Sequence, residues 1–254
     1  MARFACSMVG LVLAAGLTFN GAKAQTPVPP RSQWYQPTAA DVLRVQDLMA
    51  WYALDNFEGT MDALKDIFAL NTPGTSWQTP RGPITTAGVI AEIDQEAQRR
   101  AGPADPGGLH VQSLMTPLLV FSGDGKTARG LWDSFGPNVN GINDIGRWLW
   151  IKYAVDFIRE DGEWKIWHLQ VYSVFVTPYN ESWTQSAKDG SNNRPPPGMR
   201  LPTGGAPPGP PPGSANGSAS KMWVYDGKTV MPVGKPFIPV PYYSFDPATA
   251  YVEK

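Results

Sequence analysis

Apolar positions recur at two different periods along this chain, and the change between them divides it. From Val42 the spacing Val42, Val45, Met49, Tyr52 is helical and puts one buried stripe on one face. Thr38 precedes it as an N-cap, with Asp41 three residues on in capping-box position. Asp55 falls three residues past Tyr52, near that face and near the helix end. After Glu58-Gly59-Thr60, the segment Met61 to Leu70 predicts a second short helix through Leu64, Ile67 and Phe68. Residues 71–84 are turn-rich, with room for a short strand at Ser76–Gln78. Thr85 or Thr86 caps a third helix, striped by Val89, Ile90, Ile93 and Ala97. Arg99 and Arg100 suit its C-terminus, and Gly102 to Gly108 stop it.

Beyond Gly108 the period falls to two. His110 to Phe121 predicts a long strand, and Ser122-Gly123-Asp124-Gly125 a hairpin turn into Thr127–Phe135. Pro137 to Gly146, rich in Asn and Gly, predicts a loop. Arg147 to Ile158 is the longest strand, and Asp161-Gly162 turns it into Trp164–Val176. Helices followed by hairpin-linked strands predict an α+β domain whose helices cover one face of a curved antiparallel sheet.

The two ends follow other rules. Met-Ala-Arg, the apolar run Phe4 to Phe19 and Gly21-Ala22-Lys23-Ala24 have the parts of a secretory signal peptide, residues 1–24, cleaved after Ala24. The run is too short and wrongly flanked for a membrane span. Residues 25–37 read as an extended lead-in and 38–185 as the domain. Residues 186–220 form a Pro/Gly-rich linker whose composition cannot bury a core. Residues 221–254, aromatic among prolines, form an extended tail expected to dock on the domain or on a partner subunit.

Cleavage removes Arg3, Lys23 and Cys6, the only cysteine, and takes the formal charge from −1 to −3. A periplasmic or secreted protein without disulfide or thiol follows, which excludes a cysteine nucleophile. The charge and a pI near 6.1 argue against a nucleic-acid partner or an anionic-membrane surface. With two histidines and no clustered His/Asp/Glu spacing, no metal and no other cofactor is expected. Gly-x-Ser-x-Gly, phosphate-loop and dinucleotide patterns are all missing from the sequence.

Several phrases resemble the nuclear transport factor 2-like superfamily, within it the SnoaL-like branch. They are Trp51-Tyr52-Ala53-Leu54-Asp55 with Met61-Asp62-Ala63-Leu64; His110 opening a strand; Gly123-Asp124-Gly125-Lys126-Thr127-Ala128; and Arg147–Ile158 running into Asp161-Gly162-Glu163-Trp164-Lys165-Ile166. The resemblance spans about residues 40–176. It implies a cone-shaped, cystatin-like α+β fold, a curved antiparallel sheet packed on three N-terminal helices around an apolar pocket. It also implies a homodimer paired through the outer face of the sheet. The superfamily holds dehydratases, isomerases, hydrolases, cyclases and binding proteins, so it implies a pocket before a reaction. In scytalone-dehydratase-like lyases a helix-one Tyr-x-Asp-type cluster and a strand-opening histidine share a water and the substrate; Tyr52, Asp55 and His110 match those positions. The second histidine of those lyases has no counterpart among Trp132 to Asn138.

A histidine facing a carboxylate is an acid–base pair, so His110 and Asp55 are catalytic candidates, with Tyr52 donating to a substrate oxygen. Each also has a plain structural use, as a strand residue, a helix-end cap and a core aromatic. Arg147, Leu149, Ile151, Tyr153, Val155 and Phe157 share one strand face, which the resemblance points inward. Tyr153, Trp132 and Ser134 then line the pocket, Arg147 stands at its rim, and Trp148 and Trp150 face outward toward a subunit interface. Ten Trp, nine Tyr and ten Phe leave enough aromatics to wall a pocket for a flat ligand. The expected activity is a cofactor-independent lyase, a dehydratase or a small-fragment (for example formaldehyde) eliminase. Its substrate would be a hydroxylated aromatic or polycyclic compound such as a lignin-type phenolic dimer. A non-catalytic hydrophobic-ligand-binding protein and a ketosteroid-isomerase-like proton-transfer enzyme are the alternatives.

Overall fold

The computed structural model describes residues 35–57, 61–79, 82–100, 107–139, 145–185 and 236–251. The leader, most of the lead-in, the linker and residues 221–235 lie outside them. Helix α1 spans Ala39–Phe57 and begins where the capping box places it. The Thr38 amide donates to Asp41 Oδ2 at 3.0 Å and the Asp41 amide donates back to Thr38 Oγ1 at 3.1 Å, satisfying two otherwise orphaned donors. Its stripe Val45, Leu48, Met49 and Tyr52 is buried. The second helix is a short 3₁₀ helix, Met61–Asp66, burying Met61 and Leu64. It is followed by β1 (Ser76–Thr79), β2 (Gly82–Thr85) and α2 (Thr86–Arg100).

The sheet has eight strands: β1, β2, then β3 (Leu109–His110), β4 (Ser113–Leu114), β5 (Leu118–Phe121), β6 (Thr127–Val139), β7 (Arg147–Glu160) and β8 (Glu163–Pro178). Its order is β2-β1-β8-β7-β6-β3, with β4 and β5 also on β6. The expected antiparallel hairpins are present. To them is added a parallel pairing of β1 with β8, at Ser76↔His168 and Trp77↔Leu169. Asp161 (φ 52°) and Gly162 (φ 87°) are both left-handed in the two-residue turn between β7 and β8, the geometry that matches strand twist. Irregularities at Trp150/Ile151 and Asp156/Phe157 break the β7–β8 register, and such bulges curl a sheet.

The concave face carries Trp132, Tyr153, Val155, Phe157 and Ile166 onto the helices, one core cluster shared with α1, α2 and Trp77. Asp41 also ties the helix to the β7–β8 hairpin. It accepts from Trp164 Nε1 at 2.9 Å, from Arg159 at 2.5 Å and from the Tyr35 hydroxyl.

Residues 236–251 lie on the convex face. Gly123 and Asp124 amides donate to the Tyr242 and Tyr243 carbonyls at 2.9 and 3.0 Å. Beneath them Arg129 and Asp156, each about 1% exposed, pair at 3.2 Å. His168 Nδ1 and the Tyr251 amide reach Asp156 Oδ2 at 2.9 and 2.6 Å. The Tyr242 ring covers the Arg129 guanidinium at 4.1 Å. Among the described residues no helix is long and apolar enough to cross a membrane.

Candidate functional site

The strand expected over His110–Phe121 is broken into β3, β4 and β5, and a glycine explains the first break. Strand β6 continues three pairs past its expected end, through Gly136, Pro137 and Asn138. Val111 N–H donates to the Pro137 carbonyl at 3.1 Å, but proline has no N–H to return the bond. The Val111 carbonyl oxygen instead lies over Gly136, 1.7 Å from where a Cβ would stand. Only glycine permits that approach. The segment between β3 and β4 therefore folds over the concave face and brings Gln112 against Tyr153, whose hydroxyl donates to Gln112 Oε1.

Cross-strand register then builds the site as rows, because directly paired residues share a face. The outermost row is His110, Asn138, Arg147 and Pro178. The next inward runs through Gly136, Leu149 and Val176, then Leu114, Ser134, Ile151 and Ser173, then Trp132, Tyr153 and Val171. Successive rows are about 6.5–7 Å apart along a strand. The concave face therefore descends from a charged, amide-rich rim to an aromatic floor.

At the rim His110 is half-buried and its Nδ1 lies 2.5 Å from the Asn138 amide nitrogen. With the amide nitrogen toward the ring, Asn138 donates, Nδ1 accepts, and the imidazole proton sits on Nε2; rotating the amide reverses these roles. Arg147 is half-buried beside them.

At the floor Tyr52 of α1 meets Tyr153 edge-on at 5.7 Å and Trp77 at 6.0 Å. Burial pushes the Tyr52 phenol above its usual range, offset in part by a hydrogen bond from Trp77. Burial, then the neighbouring Tyr52, raises Tyr153 as well. Both phenols stay protonated near neutral pH and serve as hydrogen-bond groups, not bases. Trp132 lies across Gly130, where a Cβ would meet its ring at 2.2 Å, and packs edge-on against Phe157 at 5.9 Å. It belongs to the core floor.

Ser134 and Ser173 are 1% and 5% exposed, and neither hydroxyl oxygen has a hydrogen-bond partner among the described residues. Such orphaned hydroxyls cost about 1–3 kcal/mol each unless something meets them. Asp55 lies in the last turn of α1, and its side chain is outside the described residues.

Register thus brings His110, Ser134, Tyr153, Trp132 and Arg147 to one face, with Tyr52 above the floor. Sequence reasoning missed Gln112, Asn138 and Ser173. Extending the period-two alternation of Trp132 and Ser134 by four residues reaches Asn138. Ser173 lies on the inward face of the last strand. Among the described residues no cluster of three or more His, Cys, Asp or Glu is arranged to hold a metal.

A family model described as a SnoaL-like domain matches residues 37–170. No curated protein matches the chain in sequence. Among solved structures, the hexachlorocyclohexane dehydrochlorinase LinA-type3 from Novosphingobium barchaimii is similar at 16% identity and a TM-score of 0.45, over 56% of this chain and 92% of that one. A putative scytalone dehydratase from Novosphingobium aromaticivorans is similar at 14% identity and TM-score 0.45, over 56% and 90%. A protein of unknown function with a cystatin-like fold from Nostoc punctiforme is similar at 15% identity and TM-score 0.40, over 55% and 95%.

Proposed function

We propose that this chain, which belongs to the SnoaL-like domain family, is an exported, cofactor-independent lyase acting on a hydroxylated aromatic or polycyclic small molecule, a lignin-type phenolic dimer being one such compound. One observation carries the reading. An imidazole held by an amide stands at the rim of the same concave face whose floor presents two protonated phenols.

In a dehydration a base takes a proton from carbon while the neighbouring C–O bond breaks and its oxygen departs as water. In the formaldehyde-releasing variant the base takes the hydroxymethyl O–H proton and the C–C bond breaks to free formaldehyde. The electron pair of that bond forms the new C=C bond as an oxygen on the adjacent carbon leaves. Asn138 occupies the Nδ1 edge of His110, so proton transfer passes through Nε2. With the amide turned so that Nδ1–H donates to its oxygen, Nε2 is the unprotonated nitrogen, which takes the substrate proton and gives it to the leaving oxygen. Asp55, in the last turn of α1, orients that ring or a water. Tyr52 and Tyr153, kept protonated by burial, donate to oxygen that gains negative charge; a substrate oxygen accepting from Tyr153 displaces Gln112. Arg147 attracts a phenolate at the rim, and Trp132 supports the floor.

The convex face supports a homodimer. Residues 236–251 cover only part of it, while Phe135, Trp148, Trp150 and Phe175 form a contiguous aromatic cluster elsewhere, with Trp148 38% exposed. Light scattering of the purified protein tests that pairing, and the mass of exported protein tests cleavage after Ala24.

The decisive experiment assays wild type and His110→Ala against a panel of hydroxylated aromatic dimers. The expected loss in His110→Ala is about 10²–10⁴-fold in turnover with ligand binding retained. An unchanged rate sinks the acid–base assignment. Saturable binding with no turnover in wild type assigns the chain to ligand carriage instead.

A further inference from the structure

We propose that Ser134 and Ser173 are two oxygen-reading subsites, spaced to engage one oxygen on each ring of a two-ring ligand. The inference rests on the concave face being a small-molecule pocket and specifies what that pocket selects.

The two serines lie on one cross-strand row, Ser134 opposite Ile151 and Ile151 opposite Ser173. Alternation places that row on the face of Tyr153 and Leu114, which pack into the core, so both hydroxyls point inward. Both are more than nine-tenths buried, and both hydroxyl oxygens lack a partner among the described residues. Buried hydroxyls in folded proteins are nearly always paired, so two orphans on one row of a concave face mark positions that a bound group completes.

The chemistry of that group follows from the neighbours. Ile151 separates the serines and Leu114 flanks Ser134, with no charged residue in the row. An anion there would lack a counter-charge. A hydroxyl both donates and accepts, so each serine takes a neutral hydroxyl, ether or carbonyl oxygen. Two inter-strand steps separate them by roughly 10 Å, too far to share one oxygen. Para oxygens on two directly joined phenyl rings stand about that far apart, and the apolar ring system between them suits Ile151.

The test uses full-length protein and three probes of one shape: biphenyl, 4-phenylphenol and 4,4′-biphenol, titrated by calorimetry. Wild type should bind them with rising affinity in that order. Ser134→Ala and Ser173→Ala should each weaken 4,4′-biphenol about 10-fold while leaving biphenyl unchanged, and Ser173→Thr, which keeps the hydroxyl, should retain most of the affinity. Melting temperatures of both alanine variants should equal or exceed that of wild type, because an unpaired buried hydroxyl has been removed.

Equal affinity of wild type for the three probes, or unchanged 4,4′-biphenol binding in both alanine variants, overturns the subsites alone. Lowered melting temperatures in both also overturn them, by showing that the hydroxyls serve the fold. Wild type that binds none of the probes overturns the pocket, and this inference with it.

Discussion

Asn138 holds the key to how His110 works, since whichever way its amide is turned it sets which imidazole nitrogen carries the proton. Replacing it by aspartate puts a carboxylate against the ring, and an adjacent negative charge favours the imidazolium. The pH at which His110 charges should rise by about 1–3 units in Asn138→Asp. If neutral His110 is the base, the acidic limb of the rate–pH profile moves up by the same amount. With only two histidines in the chain, imidazole proton resonances can be followed individually by NMR. A resonance that titrates as in wild type would refute the contact. Asn138 was hard to find because its strand had to be carried through Gly136 and Pro137, two residues that locally signal a loop. Ser134, two rows deeper, needed no such step, and its place on that face was legible.

At the scale of elements, the junction of α1 with the β7–β8 hairpin was half legible. The capping box names Asp41 from sequence alone, but Trp164 and Arg159 are more than a hundred residues away, and only the fold reveals that the cap is also a clamp. The hydrogen bond from Tyr35, then those from Trp164 and Thr38, hold the Asp41 carboxyl well below the usual carboxylate range against the opposing pull of burial. The sign follows from linkage. A depressed folded pKa contributes stability that is fully present above the unfolded pKa and is lost as pH falls toward the folded one. Asp41→Asn should therefore lose about 2–4 kcal/mol at pH 7. The deficit relative to wild type should shrink as pH falls below about 4. Urea unfolding at pH 7 and pH 3 measures both, and a deficit that does not shrink means the charge contributes nothing. Alternation likewise made the long hairpins β6, β7 and β8 legible. The parallel pairing of β1 with β8 and the break between β3 and β4 were not, for one is set by tertiary docking and the other by a backbone contact over Gly136.

For the molecule as a whole, the convex face poses the energetic question that the concave face poses for chemistry. Arg129 and Asp156 are buried there as a charged pair, and the pair is tolerable because His168, the Tyr251 amide, Thr249 and the Tyr242 ring complete its contacts. Tyr242, Thr249 and Tyr251 belong to the C-terminal segment, so that segment serves as a polar and aromatic cover and not only as added apolar area. Two perturbations separate these roles. Asp156→Asn leaves Arg129 covered but without its counter-charge, and stranding one member of a buried pair costs about 3–5 kcal/mol. Deleting residues 236–254 removes the cover, yet water then solvates both charges and offsets part of the loss. Asp156→Asn should accordingly be the more destabilising change by urea unfolding of the two variants. The reverse order would mean that the segment stabilises chiefly by apolar burial, and that the ion pair is incidental to why the chain carries it.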